Sequence, residues 1–380
     1  MPAPSPWRAR DLTPAVVKAS DGSIRTIAAQ RDGSRPGDPT DPSGVATLIF
    51  SEDFSGQPEW TGSQSLAAAG VNDWFKSRNG EVMFSAHDAI QITGTIPEAV
   101  KPGSSKALVV WKESYTYPDP NNTGSSGPAN NFYSDGQLDY YLGAGKGETE
   151  IFARYSLKFQ PGWTPSKFMK LFRIMSWDDD TDPSQFYSFF TGGNSAPIFL
   201  QAYTAGGQYG LRNMVAFRSD AQETDYFTPA LEGLPPGRAM NSGDISLNFD
   251  GDIRQLDRRS ADLNPITLVD RTTDTVIQPG TVVFDQVYGA EWNRVEVYAK
   301  MNSAPGVHDG VLKQWINGQL CFFNSEVPWM MASSPGNKKW NVVGFGGNGQ
   351  FFGYPNEAEV EEWFAFAEIE IWNGLPEDMT

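Results

Sequence analysis

Positions 292–301 of the chain alternate strictly. Trp292, Arg294, Glu296, Tyr298 and Lys300 fall on one side, and Asn293, Val295, Val297, Ala299 and Met301 on the other. A period of two places each set on its own face of a β-sheet. The longer stretch EWNRVEVYAKMNSAPGVHDGVLKQWINGQLCFF (291–323) therefore predicts two or three strands joined by turns, with a polar and aromatic outer face. TEIFARYSLKF (149–159) repeats the pattern, with Ala153, Tyr155, Leu157 and Phe159 opposing Phe152, Arg154, Ser156 and Lys158. In KFMKLFRIMSW (167–177), Phe168, Lys170, Phe172 and Ile174 oppose Met169, Leu171, Arg173 and Met175.

Further strands are predicted at ATLIFSEDFSG (46–56), EVMFSA (81–86), AIQIT (89–93), ALVVWKES (107–114), APIFLQAYT (196–204), MVAFRS (214–219) and VEEWFAFAEIEIWNG (360–374). Between 220 and 290, ISLNF and TVVFDQVYG read as strands and RQLDRRSADLN as a short helix. The Pro/Gly/Asn/Ser-rich segment 115–137 reads as one long loop. No long segment repeats apolar residues at helical spacing. Many strands at short intervals point to a sandwich or barrel.

Composition narrows the class. The 380 residues include 24 Phe, 13 Tyr and 12 Trp, enough for a sizeable core, and 38 Gly with 27 Pro favour turns over helices. Cys321 is the one cysteine, so no intrachain disulfide forms, and having only His87 and His308 argues against a multi-histidine zinc site. A net charge of −17 argues against nucleic acid and anionic membranes as partners. No run is long and apolar enough for membrane insertion. Residues 1–45 carry six Lys/Arg against five Asp with many Pro and Ser, the composition of an extended N-terminal arm, and residues 46–380 form the globular domain. The arm shows no signal peptide, which sets the expectation of synthesis and folding in a cytoplasm.

Four landmarks resemble the concanavalin A-like jelly roll shared by legume-type lectins, laminarinase-type glycosidases and several polysaccharide lyases: LIFSEDFSG, then ARYSLKFQPGW with KFMKLFRI, then WNRVEVYAKMNSAPGVHDGVLKQWINGQ, and finally FAEIEIWNG. They cover about residues 46–374 and look most like the alginate- and glucuronan-lyase branch and phage-encoded relatives. The resemblance implies an all-β, two-sheet antiparallel jelly-roll sandwich with a ligand groove on its concave sheet. The ligand-binding candidates it implies are Arg154, Lys158, Trp292, Arg294, Glu296, Tyr298, Lys300, Lys313 and Trp315.

The chemistry is less complete. Retaining glycosidases need two carboxylates about 5–5.5 Å apart. The laminarinase pattern of Glu, Asp and Glu at alternate positions is absent, and Glu368 with Glu370 supplies only part of it. A lyase must neutralise a uronate carboxylate, remove the C5 proton and protonate the leaving oxygen. Arg294, Tyr298 and Lys300 are the catalytic candidates of suitable type, but the alginate-lyase motifs Arg-Glu-Leu-Arg and Tyr-Phe-Lys-Ala-Gly are missing. Asp53, Asp178 and Asp180 are candidate ligands for Ca2+ as a cofactor, without EF-hand spacing.

The expected function is a virion-associated structural protein, a phage decoration, fibre or tail component. It displays a glycan-binding jelly roll, is held to capsid or tail proteins through residues 1–45, assembles in a host cytoplasm and can form a homo-oligomer. The alternatives are a polysaccharide lyase or glycoside hydrolase acting on a surface or algal polysaccharide, and a free carbohydrate-binding protein.

Overall fold

A computed structural model of the chain describes residues 15–18, 24–27, 46–79, 86–113, 132–143, 145–163, 168–177, 198–204, 212–218, 273, 284–307, 309–327, 329–330, 336, 338–351 and 361–379. Among the described residues lie seventeen strands. Within the arm, β1 (Ala15–Lys18) and β2 (Ile24–Ile27) form a two-stranded antiparallel ladder, a local pairing that composition did not suggest.

Two antiparallel sheets make the sandwich. The larger contains β3 (Leu48–Glu52), β4 (Trp60–Thr61), β6 (Ile90–Thr93), β7 (Ala107–Glu113), β9 (Glu150–Phe159), β13 (Asn293–Lys300), β14 (Gly310–Ile316), β15 (Gln319–Val327) and β17 (Glu361–Trp372). Its order is β15-β14-β13-β9-β17-β7-β6-β4, with β3 pairing β17. The smaller runs β12-β11-β10-β16-β8-β5. Its strands are β5 (Lys76–Asn79), β8 (Phe132–Tyr141), β10 (Phe168–Met175), β11 (Ile198–Thr204), β12 (Arg212–Arg218) and β16 (Val342–Phe351). Neighbours such as β9 and β13 are far apart in sequence, which is the crossed connectivity of a jelly roll.

The core fills the space between the sheets. Ala153, Tyr155, Leu157, Val295, Val297, Phe364 and Phe366 come from the larger sheet, and Leu138, Phe172, Ile174, Val343 and Phe345 from the smaller. Tyr155 sits at the centre, 4.8 Å from the Phe172 ring and 5.5 Å edge-on to Phe345. Its burial pushes the phenol well above its ordinary pKa, with Tyr288 adding to the shift.

Three sequence expectations change. Segment 115–137 is not one loop, because β8 begins at Phe132 and carries Asp135 and Gln137 into the sheet. TVVFDQVYG is not a strand throughout. Phe284–Val287 forms a helical turn, closed by the Tyr288 amide donating to the Phe284 carbonyl, which drops Phe284 and Val287 onto the core. In β10 the alternation breaks at a bulge between Lys170 and Phe172, so Leu171 and Phe172 are both in the core. EVMFSA falls almost wholly, and ISLNF and RQLDRRSADLN entirely, outside the described residues.

Candidate functional site

The ligand-binding candidates singled out in the sequence share the outer face of the larger sheet, where Arg154 and Arg294 meet Glu296 and others bond to carboxylates remote in sequence. Arg154 is the hub. Its Nε donates to Glu296 at 3.0 Å, Nη1 to Glu370 at 3.2 Å and Nη2 to Asp378 at 2.6 Å. Burial opposes the Arg154 charge, but Glu296, Asp378 and Glu370 outweigh it and raise the pKa. Arg294 also pairs with Glu296, which is 1% exposed. Tyr298 is 1% exposed and donates its hydroxyl to Glu150 at 2.7 Å, while Lys300 meets the same carboxylate at 3.1 Å.

Trp315 packs into a buried cluster with Phe152, Tyr298, Val311 and Leu375, against which Met379 rests. Lys313 stands opposite Tyr298 across the ladder, Lys158 donates to the Glu98 carbonyl at 2.7 Å, and Trp292 packs on the cluster containing Trp363. The structure thus brings the catalytic candidates Arg294, Tyr298 and Lys300 onto one face, each bonded to a neighbouring carboxylate. Glu296, Tyr298 and Trp315 are buried, and Arg154, Arg294 and Lys300 are paired with neighbouring carboxylates that would otherwise be desolvated without partners.

Asp53 is exposed and accepts from the Ser55 amide at 2.8 Å. No group of three acidic, His or Cys side chains able to hold a metal occurs among the described residues, and Asp178, Asp180 and His308 lie outside them. His87 pairs with Glu361 at 2.8 Å and lies 4.5 Å from the Trp111 ring.

The outer face of the smaller sheet holds a different arrangement. On β8, Leu138 points into the core and Tyr140 packs against it, so Asp135, Gln137, Asp139 and Tyr141 point outward. On β16, Val343 and Phe345 point inward, leaving Gly344 outward. The ladder aligns Asp139, Gly344 and Arg173 in one row across β8, β16 and β10. A Cβ on Gly344 would stand 2.4 Å from Asp139 Oδ1, 3.0 Å from Arg173 Cγ and 3.1 Å from Gln137 Nε2. The glycine is thus the floor of a polar cradle.

The bulge in β10 adds to this cradle, because Lys170 and Arg173 both reach the outer face three residues apart. Lys76 on β5 is directly opposite Asp139, and Arg78 is opposite Gln137 with its Nε 2.8 Å from Asp135. Gln137 donates to Asp139 at 2.5 Å, while its buried Oε1 has no hydrogen-bond partner among the described residues. Asp139 and Gln137 are 0% exposed and Arg173 is 3% exposed, although they face away from the other sheet. One row further along, Phe75, Tyr141 and Trp177 form an aromatic cluster, with Tyr141 5.3 Å from Trp177.

Sequence reasoning did not single out Gln137, Asp139 and Arg173 as candidate site residues. The signal was present in β8, where Tyr133, Asp135, Gln137, Asp139 and Tyr141 alternate with Ser134, Gly136, Leu138 and Tyr140. Asp-Gly at 135–136 imitates a hairpin turn. Here Gly136 instead permits close approach of the sheets, since its Cβ would lie 2.7 Å from the Ala89 carbonyl oxygen.

No family model and no curated protein matches the chain. Among solved structures, the alginate lyase vAL-1 from Chlorella virus is similar at 12% identity and a TM-score of 0.46, over 86% of this chain and 99% of that one. The endo-β-1,4-glucuronan lyase from the fungus Trichoderma reesei is similar at 13% identity and 0.44, over 86% and 95%. The alginate lyase Aly36B is similar at 11% identity and 0.45, over 86% and 97%. At these values the jelly-roll assignment rests on the two described sheets themselves.

Proposed function

We propose that the protein binds an acidic glycan on the outer face of its smaller sheet. The observation that carries this reading is the row Asp139–Gly344–Arg173, in which a strand position without a side chain is flanked by buried polar groups. In a chain of net charge −17, this face gathers Lys76, Arg78, Lys170 and Arg173 against Asp135 and Asp139. Such a balance favours a carboxylate-bearing sugar over a neutral one. Gln137 Oε1 is an acceptor suited to a sugar hydroxyl. The ring cluster around Tyr141 and Trp177 adds an apolar border of the kind that packs against sugar C–H faces.

Cleavage by β-elimination is the enzymatic form of this reading. A base would take the C5 proton, the C4–O bond would break, the electron pair would form a C4=C5 double bond and the departing oxygen would receive a proton. In this form Arg173 would neutralise the uronate carboxylate, and Tyr141, two residues from Asp139 on the same face, is the described phenol nearest the row in register. Incubating the protein with oligoglucuronate and oligoalginate, followed by the ultraviolet absorbance of an unsaturated product, tests it. Binding without product supports a glycan-binding module, whereas product that vanishes in Tyr141→Phe supports a lyase.

A particle-bound role with capsid or tail partners rests on the composition of residues 1–45, of which only β1 and β2 are described.

A further inference from the structure

Lys112 is fully buried between the two sheets, continuing the inward row of Leu108 and Val110 on β7. Its Nζ lies 5.9 Å from the Phe364 ring centroid, and Glu362, also buried, is its direct cross-strand neighbour on β17. An ammonium in such a place is costly unless its donors are used. A methionine would fill similar volume without that cost, so packing alone does not call for a lysine.

The Lys112 Nζ crosses to the smaller sheet and donates to the Gly347 carbonyl at 2.5 Å. Gly346 (φ 89°) and Gly347 (φ 146°) both lie in the left-handed half of backbone space. Between them and β10 the ladder jumps, with Met169 opposite Gly349 and Phe172 opposite Phe345. A bulge of this kind takes a carbonyl out of the regular ladder, and the lysine supplies that carbonyl with a donor. The other side of Gly347 faces the polar row. A Cβ there would stand 2.5 Å from Arg173 Nη2 and 2.9 Å from Lys170 Cβ.

We propose that Lys112 is a positioning residue for the glycan site. It holds the Gly346–Gly347 bulge from inside the sandwich in the conformation over which Arg173 and Lys170 lie on the outside. The inference rests on the reading of the smaller sheet as a glycan-binding face. It adds that the site is set by a buried cation contributed by the opposite sheet, which no ligand touches.

The test has two readouts. The first is the amide resonances of Gly344, Gly346 and Gly347 in the unliganded protein. The second is calorimetric titration with a glucuronic-acid oligomer. Lys112→Met is expected to melt cooperatively, to shift the Gly346 and Gly347 resonances and to weaken binding about tenfold or more, because small misplacements of a binding group are costly. The double variant with Arg173→Met should bind no more weakly than Arg173→Met alone, a non-additivity that a loss of stability would not produce. Should Lys112→Met not fold, Lys112→Gln, whose amide is too short to reach the carbonyl, is read in the same way. Unmoved glycine resonances, or wild-type affinity in a folded variant, would overturn the proposal. If the wild-type protein binds no uronate oligomer, the glycan reading falls, and the resonances alone then decide whether Lys112 holds the bulge.

Discussion

Asp139 and Arg173 face each other across a strand position that has no side chain. Gly344 lies between them, and their side chains pack so closely over it that a Cβ would stand only 2.4 Å from Asp139 Oδ1 and 3.0 Å from Arg173 Cγ. Gly344→Val is therefore expected to block the cradle directly. Overpacking of this kind costs about 1–3 kcal/mol. The variant should retain a cooperative melt at lower temperature and lose measurable affinity for acidic oligosaccharides by calorimetry.

The outer face of the larger sheet should behave in the opposite way. Tyr298→Phe removes one hydrogen bond to Glu150 and touches nothing in the smaller sheet. The expected cost is about 1 kcal/mol in thermal or denaturant unfolding, with glycan binding unchanged. Binding lost in this variant would return the site to the residues first suggested by the alternation in β13.

Arg154→Met strands carboxylates that are now compensated. Glu296 keeps Arg294, while Glu370 and Asp378 lose their Arg154 contacts. Glu370 and Asp378 are partly exposed and Asp378 keeps Arg294 at 3.5 Å, so the expected cost is about 1–2 kcal/mol, below that of a fully buried pair. The short helical turn Glu377–Met379, tied to the sheet through Asp378, should become more susceptible to carboxypeptidase than in the wild type.

Asp88 gives the expected acid response. Burial alone would raise its pKa, but hydrogen bonds from Thr61, Ser63 and Asn79 outweigh burial and lower it below the ordinary 3.8. A depressed folded pKa means the contribution is fully present above the unfolded value and fades as pH falls through the folded one. Asp88→Asn should thus destabilise by about 1–2 kcal/mol near neutral pH and by progressively less below pH 3.8. Urea unfolding at several pH values checks this, and a penalty independent of pH would contradict it.

Much of the fold was legible because the larger sheet keeps clean alternation. In β9 and β13 the same residues that read as inward, Tyr155, Leu157, Val295 and Val297, are in the core. The smaller sheet hid its pattern for physical reasons. Glycines in β8 and β16 allow close approach of neighbouring groups, yet in sequence they look like turns. The β10 bulge moves Arg173 relative to Lys170 and spoils the period. On β13 the alternating row shows residue types but not their partners. Arg154, Glu150 and Asp378, which satisfy that row, come from segments remote in sequence.

The boundary near residue 46 has its own test. Removing residues 1–45 deletes β1 and β2, which pair with each other. Differential scanning calorimetry should show the sandwich transition within about 2 °C of the full chain, the shift expected from less than about 1 kcal/mol in a large domain. A lost or strongly lowered transition would make the arm part of the folding unit.

The central claim is that the smaller sheet, through Arg173, recognises an acidic glycan. The most direct measurement is calorimetric titration of the wild type, Arg173→Met and Arg294→Met with a glucuronic-acid oligomer and with a neutral glucan oligomer of equal length. The account predicts binding of the acidic oligomer by the wild type and by Arg294→Met, binding weakened about tenfold or more yet still measurable in Arg173→Met, and none of the neutral one. Binding of the acidic oligomer that is undiminished in Arg173→Met and lost in Arg294→Met would contradict it.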